Sequence, residues 1–223
     1  MLYSVPKSWE GETCVIIAGG PSLRTQDLSP LYTHRCKIIT INDSWRIRPN
    51  ADVLYFCDTK WWENQLYANF FSIVSGREGR FQSIRFHDLI YSGNWIKGGE
   101  GFDDHPQVQK LKFTGQQGLE TDPTGLRHGS NSTYQAINLA YHFGVKKIVL
   151  LGVDMRVSDS GRSHWHDEHR ASGFQNVIKN TMLPQFQYLV EPLKAAGVEV
   201  INATPGSALT LWEQKSLEDA LGQ

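Results

Sequence analysis

The stretch VIIAGGPSLRTQDL, Val15–Leu28, decides the fold. An apolar, β-branched run stops at Gly19-Gly20-Pro21-Ser22, and a helix-like pattern begins at Leu23. That is the signature of a buried strand feeding a helix through a tight turn. Gly19 and Gly20 let the backbone pass close to a ligand with no Cβ in the way. Pro21 suits the first helical turn, whose unpaired N–H groups attract anions. The turn is not GxGxxG and, lacking Gly-Lys-Ser/Thr, it is not a Walker A loop. It reads either as a plain strand-to-helix turn or as a phosphate and nucleotide contact.

Outward from this turn, similar short apolar runs occur at Thr13–Ala18, Lys37–Asn42, Val53–Cys57, Ser83–Phe86, Lys147–Gly152 and Val198–Asn202. Helices are predicted over Leu23–Tyr32, Lys60–Ile73, Asn131–Phe143 and Phe174–Ala195. Strand–helix alternation implies right-handed crossovers and an α/β fold with a doubly wound, mostly parallel sheet. Two segments break the pattern, Tyr91–His128 and Arg156–Gly173. Long irregular stretches in compact α/β domains are usually functional loops or lids, with plain surface insertion as the second reading.

Composition bounds the partners. Hydrophobic residues are 40% and charged residues 20% of the 223, and the formal net charge is −1. This is a globular composition, with nothing at whole-chain level to suggest nucleic acid or an anionic membrane as the main partner. Cys14, Cys36 and Cys57 are odd in number, have no CxxC spacing and fall in predicted strands, so they read as core residues in a reducing compartment. The N-terminus lacks a signal-peptide hydrophobic region, and no apolar run approaches the roughly 20 residues that span a bilayer. The expected location is cytoplasmic.

In open α/β sheets ligands bind beyond the carboxyl ends of the strands. The first strand ends in Gly19-Gly20-Pro21-Ser22, the second in Asn42-Asp43, the third in Asp58-Thr59 and the fifth in Gly152-Val153-Asp154. Gly129-Ser130-Asn131-Ser132-Thr133 opens the helix before the fifth strand, with more small polar residues than capping alone needs. These would supply hydroxyls and backbone donors to a phosphate or ribose. The Trp61-Trp62 pair either stacks on a base or sugar or packs a helix onto the sheet.

RSHWHDEH, Arg162–His169, is the richest segment in chemistry. A histidine here would suit a general base, since imidazole titrates at about 6.5. Alternatively His164 and His166, alternating along an extended segment, form a metal site with His169 and Asp154. A solvated polar loop is the third reading. Arg156, Arg162 and Arg170 flank the cluster and either neutralise a phosphate leaving group or are solvated loop residues.

Taken in order, VIIAGGPSL, ITIND, VLYFCDTKWW, GSNSTYQAINLAYHFGVKKIVLLGVDM and SHWHDEH resemble the bacterial sialyltransferases of glycosyltransferase family 42. They also resemble the wider superfamily that includes archaeal hydroxymethylpterin pyrophosphokinase-like proteins. The resemblance covers about the first 60 residues and Gly129 to about Asn202. It implies a nucleotide-sugar transferase on a single Rossmann-like domain, residues 1–223, with an irregular insertion at 91–128 and a lid at 156–173. Gly19, Gly20, Ser22 and Asn42 would hold the nucleotide of a CMP-sugar, with Asp58, Thr59 and Ser130–Ser132 completing the pocket. His164 would be the base, with His166 close behind. The family's tyrosines after the GxD strand end are missing, because Met155 and Arg156 follow Asp154 and the next tyrosine is Tyr188. Arg156 would then stabilise the leaving phosphate.

The resulting expectation is sugar transfer from a nucleotide-activated donor to an acceptor hydroxyl, with no cofactor required. The acceptor would be a glycan or a modified base, since compact members of this superfamily occur in phage and prophage genomes, and a homo-oligomer is compatible with this reading. The alternative is Mg²⁺-dependent diphosphate transfer from ATP, with Asp58, Asp154 and lid acids carrying the metal. A non-catalytic nucleotide-binding protein is the third class.

Overall fold

The computed structural model describes residues 2–67, 71–75, 81–85, 94–99, 108–166 and 173–222. In chain order the strands are β1 (Thr13–Ile17), β2 (Lys37–Ile41), β3 (Val53–Phe56), β4 (Phe71–Ser75), β5 (Phe81–Arg85) and β6 (Asn94–Gly98), then β7 (Val108–Gly115), β8 (Gly125–Arg127), β9 (Lys147–Leu151), β10 (Glu199–Asn202) and β11 (Glu213–Gln214). The helices are α1 (Pro30–Thr33), α2 (Thr59–Tyr67), α3 (Ser132–Phe143), α4 (Phe174–Val177), α5 (Gln187–Ala195) and α6 (Leu217–Leu221).

Among the described residues nine strands form one sheet in the order β11-β10-β9-β1-β2-β3-β6-β7-β8, and β4 and β5 form a separate two-stranded sheet. Every neighbouring pair of the large sheet is parallel. The chain moves outward from β1 to β8, returns to β9 on the other side of β1, and moves outward again. Strand order therefore reverses between β1 and β9, which leaves a crevice at their carboxyl ends.

The near-continuous apolar runs have a direct cause. Cys14 and Ile16 of β1, with Ile148 and Leu150 of β9, enter one core beneath α3 and α5. Val15 and Ile17, with Val149 and Leu151, enter a second core that contains Leu31 of α1 and Leu217 and Ala220 of α6. Both faces are buried, so no polar alternation survives in the sequence. The architecture is a Rossmann-like, doubly wound α/β fold.

Several predicted elements are corrected. Leu23–Tyr32 is not one helix but a four-residue 3-10 turn, Pro21–Arg24, followed by α1. Between them the Asp27 carboxylate accepts the Ser29 N–H and hydroxyl, both at 2.9 Å, and this local turn competes with helix. The helix expected over Lys60–Ile73 ends at Tyr67, and Phe71–Ile73 belongs to β4. Ser83–Arg85 is a strand, but antiparallel to β4 and outside the large sheet; Phe86 lies outside the described residues. The stretch Tyr91–His128, expected to be irregular, contributes β6, β7 and β8 to one end of the sheet.

Phe174–Ala195 is helical, but as α4, a π turn (Ile178–Met182), a 3-10 turn (Leu183–Phe186) and α5. Pro184, which has no N–H to give, falls in the 3-10 turn. Cys14 is buried, while Cys36 and Cys57 are half-buried just beyond their strands, and all three are free. No helix among the described residues is long and apolar enough to cross a membrane.

Candidate functional site

The carboxyl ends of β1, β2, β3 and β9, the N-terminus of α3 and the lid enclose a cleft of about 1070 Å³ at the point where strand order reverses. Gly19, Gly20, Asn42, Asp58, Ser130, Asn131, Ser132, Gly152, Asp154, Arg156, His164 and His166 all line it. Pro21, Ser22 and Thr59 do not. His169 and Arg170 lie outside the described residues, as do Asp167 and Glu168.

The opening turn is built differently from the anion cradle that its sequence suggests. Ser22 donates its N–H to Asp154 Oδ1 (3.0 Å) and its hydroxyl to Asp154 Oδ2 (2.8 Å). Gly20 N–H is given to Gly152 O at 2.8 Å. A Cβ on Gly20 would sit 1.9 Å from Asp154 Oδ2 and 2.4 Å from Gly152 O, so close approach to the β9 end demands glycine here. Burial pushes the Asp154 carboxyl up, and the two Ser22 bonds and the Arg156 charge only partly pull it back. A Cβ on Gly19, by contrast, would meet the His164 ring edge at 3.1 Å.

Asn42 (φ 49°), Ser130 (φ 57°) and Met155 (φ 49°) are the non-glycine residues with left-handed backbone among those described, and all three line the cleft. Such conformations cost of order 1–3 kcal/mol and cluster at ligand sites. Asn42 Oδ1 is buried with no hydrogen-bond partner among the described residues. An unmet buried acceptor costs about 1–3 kcal/mol, which a ligand donor would recover.

At the α3 terminus, Asn131 is the cap. Its Oδ1 accepts the Tyr134 N–H (2.9 Å) and its Nδ2 donates to Gly129 O (3.0 Å). Ser130 Oγ accepts from Gln116 Nε2 at 3.2 Å, and Ser132 Oγ lies 3.4 Å from Cys57 Sγ. Asp58 Oδ1 likewise caps α2, accepting the N–H groups of Lys60 (2.9 Å) and Trp61 (3.3 Å). Trp61 and Trp62 are buried and Trp62 stacks on Phe56 at 5.0 Å, packing the helix onto the sheet, while Trp61 also lines the cleft.

Among the described residues of the predicted lid, 156–166, two polar contacts to the strand ends stand out. Trp165 N–H bonds Gly19 O at 3.0 Å, and His166 Nε2 lies 3.6 Å from Asp43 Oδ2. Asp43 also accepts the Trp61 indole N–H (2.9 Å) and has the Arg46 guanidinium at 3.9 Å. His166 and Asp43 are both buried. His164 is less buried, with Nδ1 2.9 Å from Ser163 Oγ and its ring stacked over Phe174 at 5.9 Å. The two histidine rings are 5.4 Å apart, so His166 anchors while His164 borders the cleft beside Gly19. Arg156 Nε donates to Gly206 O at 2.9 Å, which fixes its guanidinium at the cleft wall.

For the metal alternative, no group of three His, Cys, Asp or Glu comes together among the described residues, and both Asp154 oxygens are bonded by Ser22. Asp43 is the partner that strand-end reading passed over in favour of Asn42. Its signal was adjacency to Asn42, but its use depends on the lid folding back. Phe174, Ile178 and Met182 also line the cleft, which only the orientation of their helical segment reveals.

No protein-family profile and no curated protein sequence matches the chain. Among solved structures, it is similar to the sialyltransferase CstII from Campylobacter jejuni, determined in complex with a substrate analogue, cytidine-5'-monophosphate. The TM-score is 0.53 at 12% sequence identity, over 92% of this chain and 85% of that one. The likeness shows a sialyltransferase-like fold.

Proposed function

We propose that this chain is a glycosyltransferase that moves a sugar from a nucleotide-activated donor of the CMP-sugar type to an acceptor hydroxyl. One observation carries the reading: the cleft at the reversal of strand order brings the strand-end polar residues together with His164 in a single concave site. A fold similar to that of a CMP-bound sialyltransferase supports the donor class. Gly19, Asn42, Ser130 and Ser132 would contact the nucleotide, while Asn131 and Asp58 hold the helices that frame it. Gly20, Gly152 and Asp154 shape the wall.

His164 Nδ1 lies 2.9 Å from Ser163 Oγ, and the mechanism assigns the Nδ1 proton to that bond so that Nε2 carries the lone pair. The acceptor oxygen attacks the anomeric carbon as the bond from that carbon to the phosphate oxygen breaks. The nucleoside monophosphate leaves with the bonding electrons, and the acceptor proton passes to Nε2. Charge growing on the departing phosphate meets Arg156 and the positive end of α3. The lid excludes the water that would otherwise hydrolyse the donor. Transfer is proposed to need no metal, the phosphate charge being met by Arg156 and the α3 terminus.

The test is release of CMP from CMP-sugars in EDTA, with and without acceptors. Wild type should release CMP and His164→Ala should not. Undiminished release by His164→Ala, or nucleotide turnover seen only with Mg²⁺ and ATP, contradicts the proposal.

A further inference from the structure

Phe174, Ile178 and Met182 lie four residues apart, and all line the cleft. Residues 175–177 and 179–181 between them are exposed. In an α-helix a four-residue step over-rotates by about 40°. The step from Phe174 to Ile178 is of this kind, and the wider π turn at Ile178–Met182 rotates the next step back. The mixed helix therefore presents one straight apolar row to the cleft. None of the three residues belongs to, or packs against, the hydrophobic cores formed by the described residues, although Ile178 is 4% exposed. Phe174 and Met182, both half-buried, present accessible apolar surface to the cleft, and Ile178 backs them.

We infer that this row is an acceptor subsite for a hydrocarbon or aromatic group carried next to the reacting hydroxyl, an inference that rests on the proposed transferase function. Asn42, Asp58, Ser130 and Ser132, which also line the cleft, are polar and suit the nucleotide. At about 1070 Å³ the cleft exceeds the ~300–1,000 Å³ usual for one small ligand, which leaves room for a second. His164 also lines the cleft, its ring stacked on Phe174 at 5.9 Å. An acceptor lying along the row would bring its hydroxyl to the base. Met182, flexible and half-buried, lets the row adapt to differently shaped groups.

The test compares paired methyl and 4-nitrophenyl glycosides of the common hexoses, titrated calorimetrically with and without saturating CMP. Burying an aryl ring on the row should make the nitrophenyl member roughly tenfold tighter for at least one hexose. Met182→Gln, close to Met in size but polar, should remove most of that preference while CMP affinity stays within about twofold. Equal affinity within every pair, binding of neither member, or a preference untouched by Met182→Gln overturns the inference. Loss of the proposed function reads out separately: CMP alone would fail to bind, while the pairs titrated without nucleotide still report on the row.

Discussion

Asp154 receives both polar groups of Ser22, the N–H at 3.0 Å and the hydroxyl at 2.8 Å. The acid at the β9 end thus closes the turn after β1, and the two strands flanking the reversal are tied together above the cleft floor. Because burial raises the Asp154 carboxyl, deprotonation costs more in the folded chain than in the unfolded one. Its contribution to stability is fully present below the ordinary carboxylate value of about 3.9 and is lost as pH rises through the raised folded value. Asp154→Asn keeps the size, with Oδ1 accepting the Ser22 N–H and Nδ2 donating to a turned Ser22 hydroxyl, and removes the ionisation. The variant should therefore gain on wild type in denaturant melts between pH 4 and pH 7. Ser22→Ala should lose about 1 kcal/mol at pH 7. A larger penalty for Asp154→Asn at pH 7 than at pH 4 contradicts this account.

The two glycines of the opening turn should separate stability from activity. Gly20→Ala forces a Cβ to 1.9 Å from a carboxylate oxygen, and it should destabilise by about 3 kcal/mol or more. At Gly19 the Cβ meets only the His164 ring, at 3.1 Å, so Gly19→Ala should fold nearly as well yet slow CMP release by displacing the base. Thermal melts beside turnover assays check both. Equal melting temperatures for the two variants would be inconsistent with the packing described.

His164 and His166 should fail differently. His164→Ala is expected to lower turnover by roughly 10²–10⁴-fold with CMP affinity almost unchanged. His166→Ala should act first on stability, since it leaves Asp43 buried with one partner fewer. Swapped phenotypes would make His166 the base.

Asp43→Asn should loosen the lid at a cost of about 1–3 kcal/mol. Amide exchange at Trp165, whose N–H bonds Gly19 O, reports the fastening directly and should accelerate. An unchanged rate would mean that the backbone bond alone holds the lid.

The parts of the fold legible in sequence were those where burial is two-sided. Val15–Ile17 and Ile148–Leu151 read as strands because both cores claim alternate residues. β6, β7 and β8 were invisible because Lys97, Lys110, Lys112 and several glycines break the apolar run. Lys97 is nonetheless completely buried, its Nζ bonded to Gly99 O at 3.0 Å. Around the cleft, strand-end position found Asn42, Asp58 and Asp154, since it depends only on strand order and parallel direction. Pro21, Ser22 and Thr59 do not line the cleft, since their positions depend on how the short 3-10 turn and α2 leave the sheet. Strand-end position undervalued Asp43, Phe174, Ile178 and Met182, which gain their roles through contacts made by distant segments.

The most direct measurement of the central claim is the melting temperature in EDTA, titrated with CMP and, separately, with ATP with and without Mg²⁺. Ligand at about 100 times its Kd stabilises by ~2.7 kcal/mol, which for a chain of this size is about 5–10 °C. The account predicts a rise of that order with CMP in EDTA, reduced by substitution of Asn42. No shift with CMP, or a shift with ATP only when Mg²⁺ is present, would contradict it.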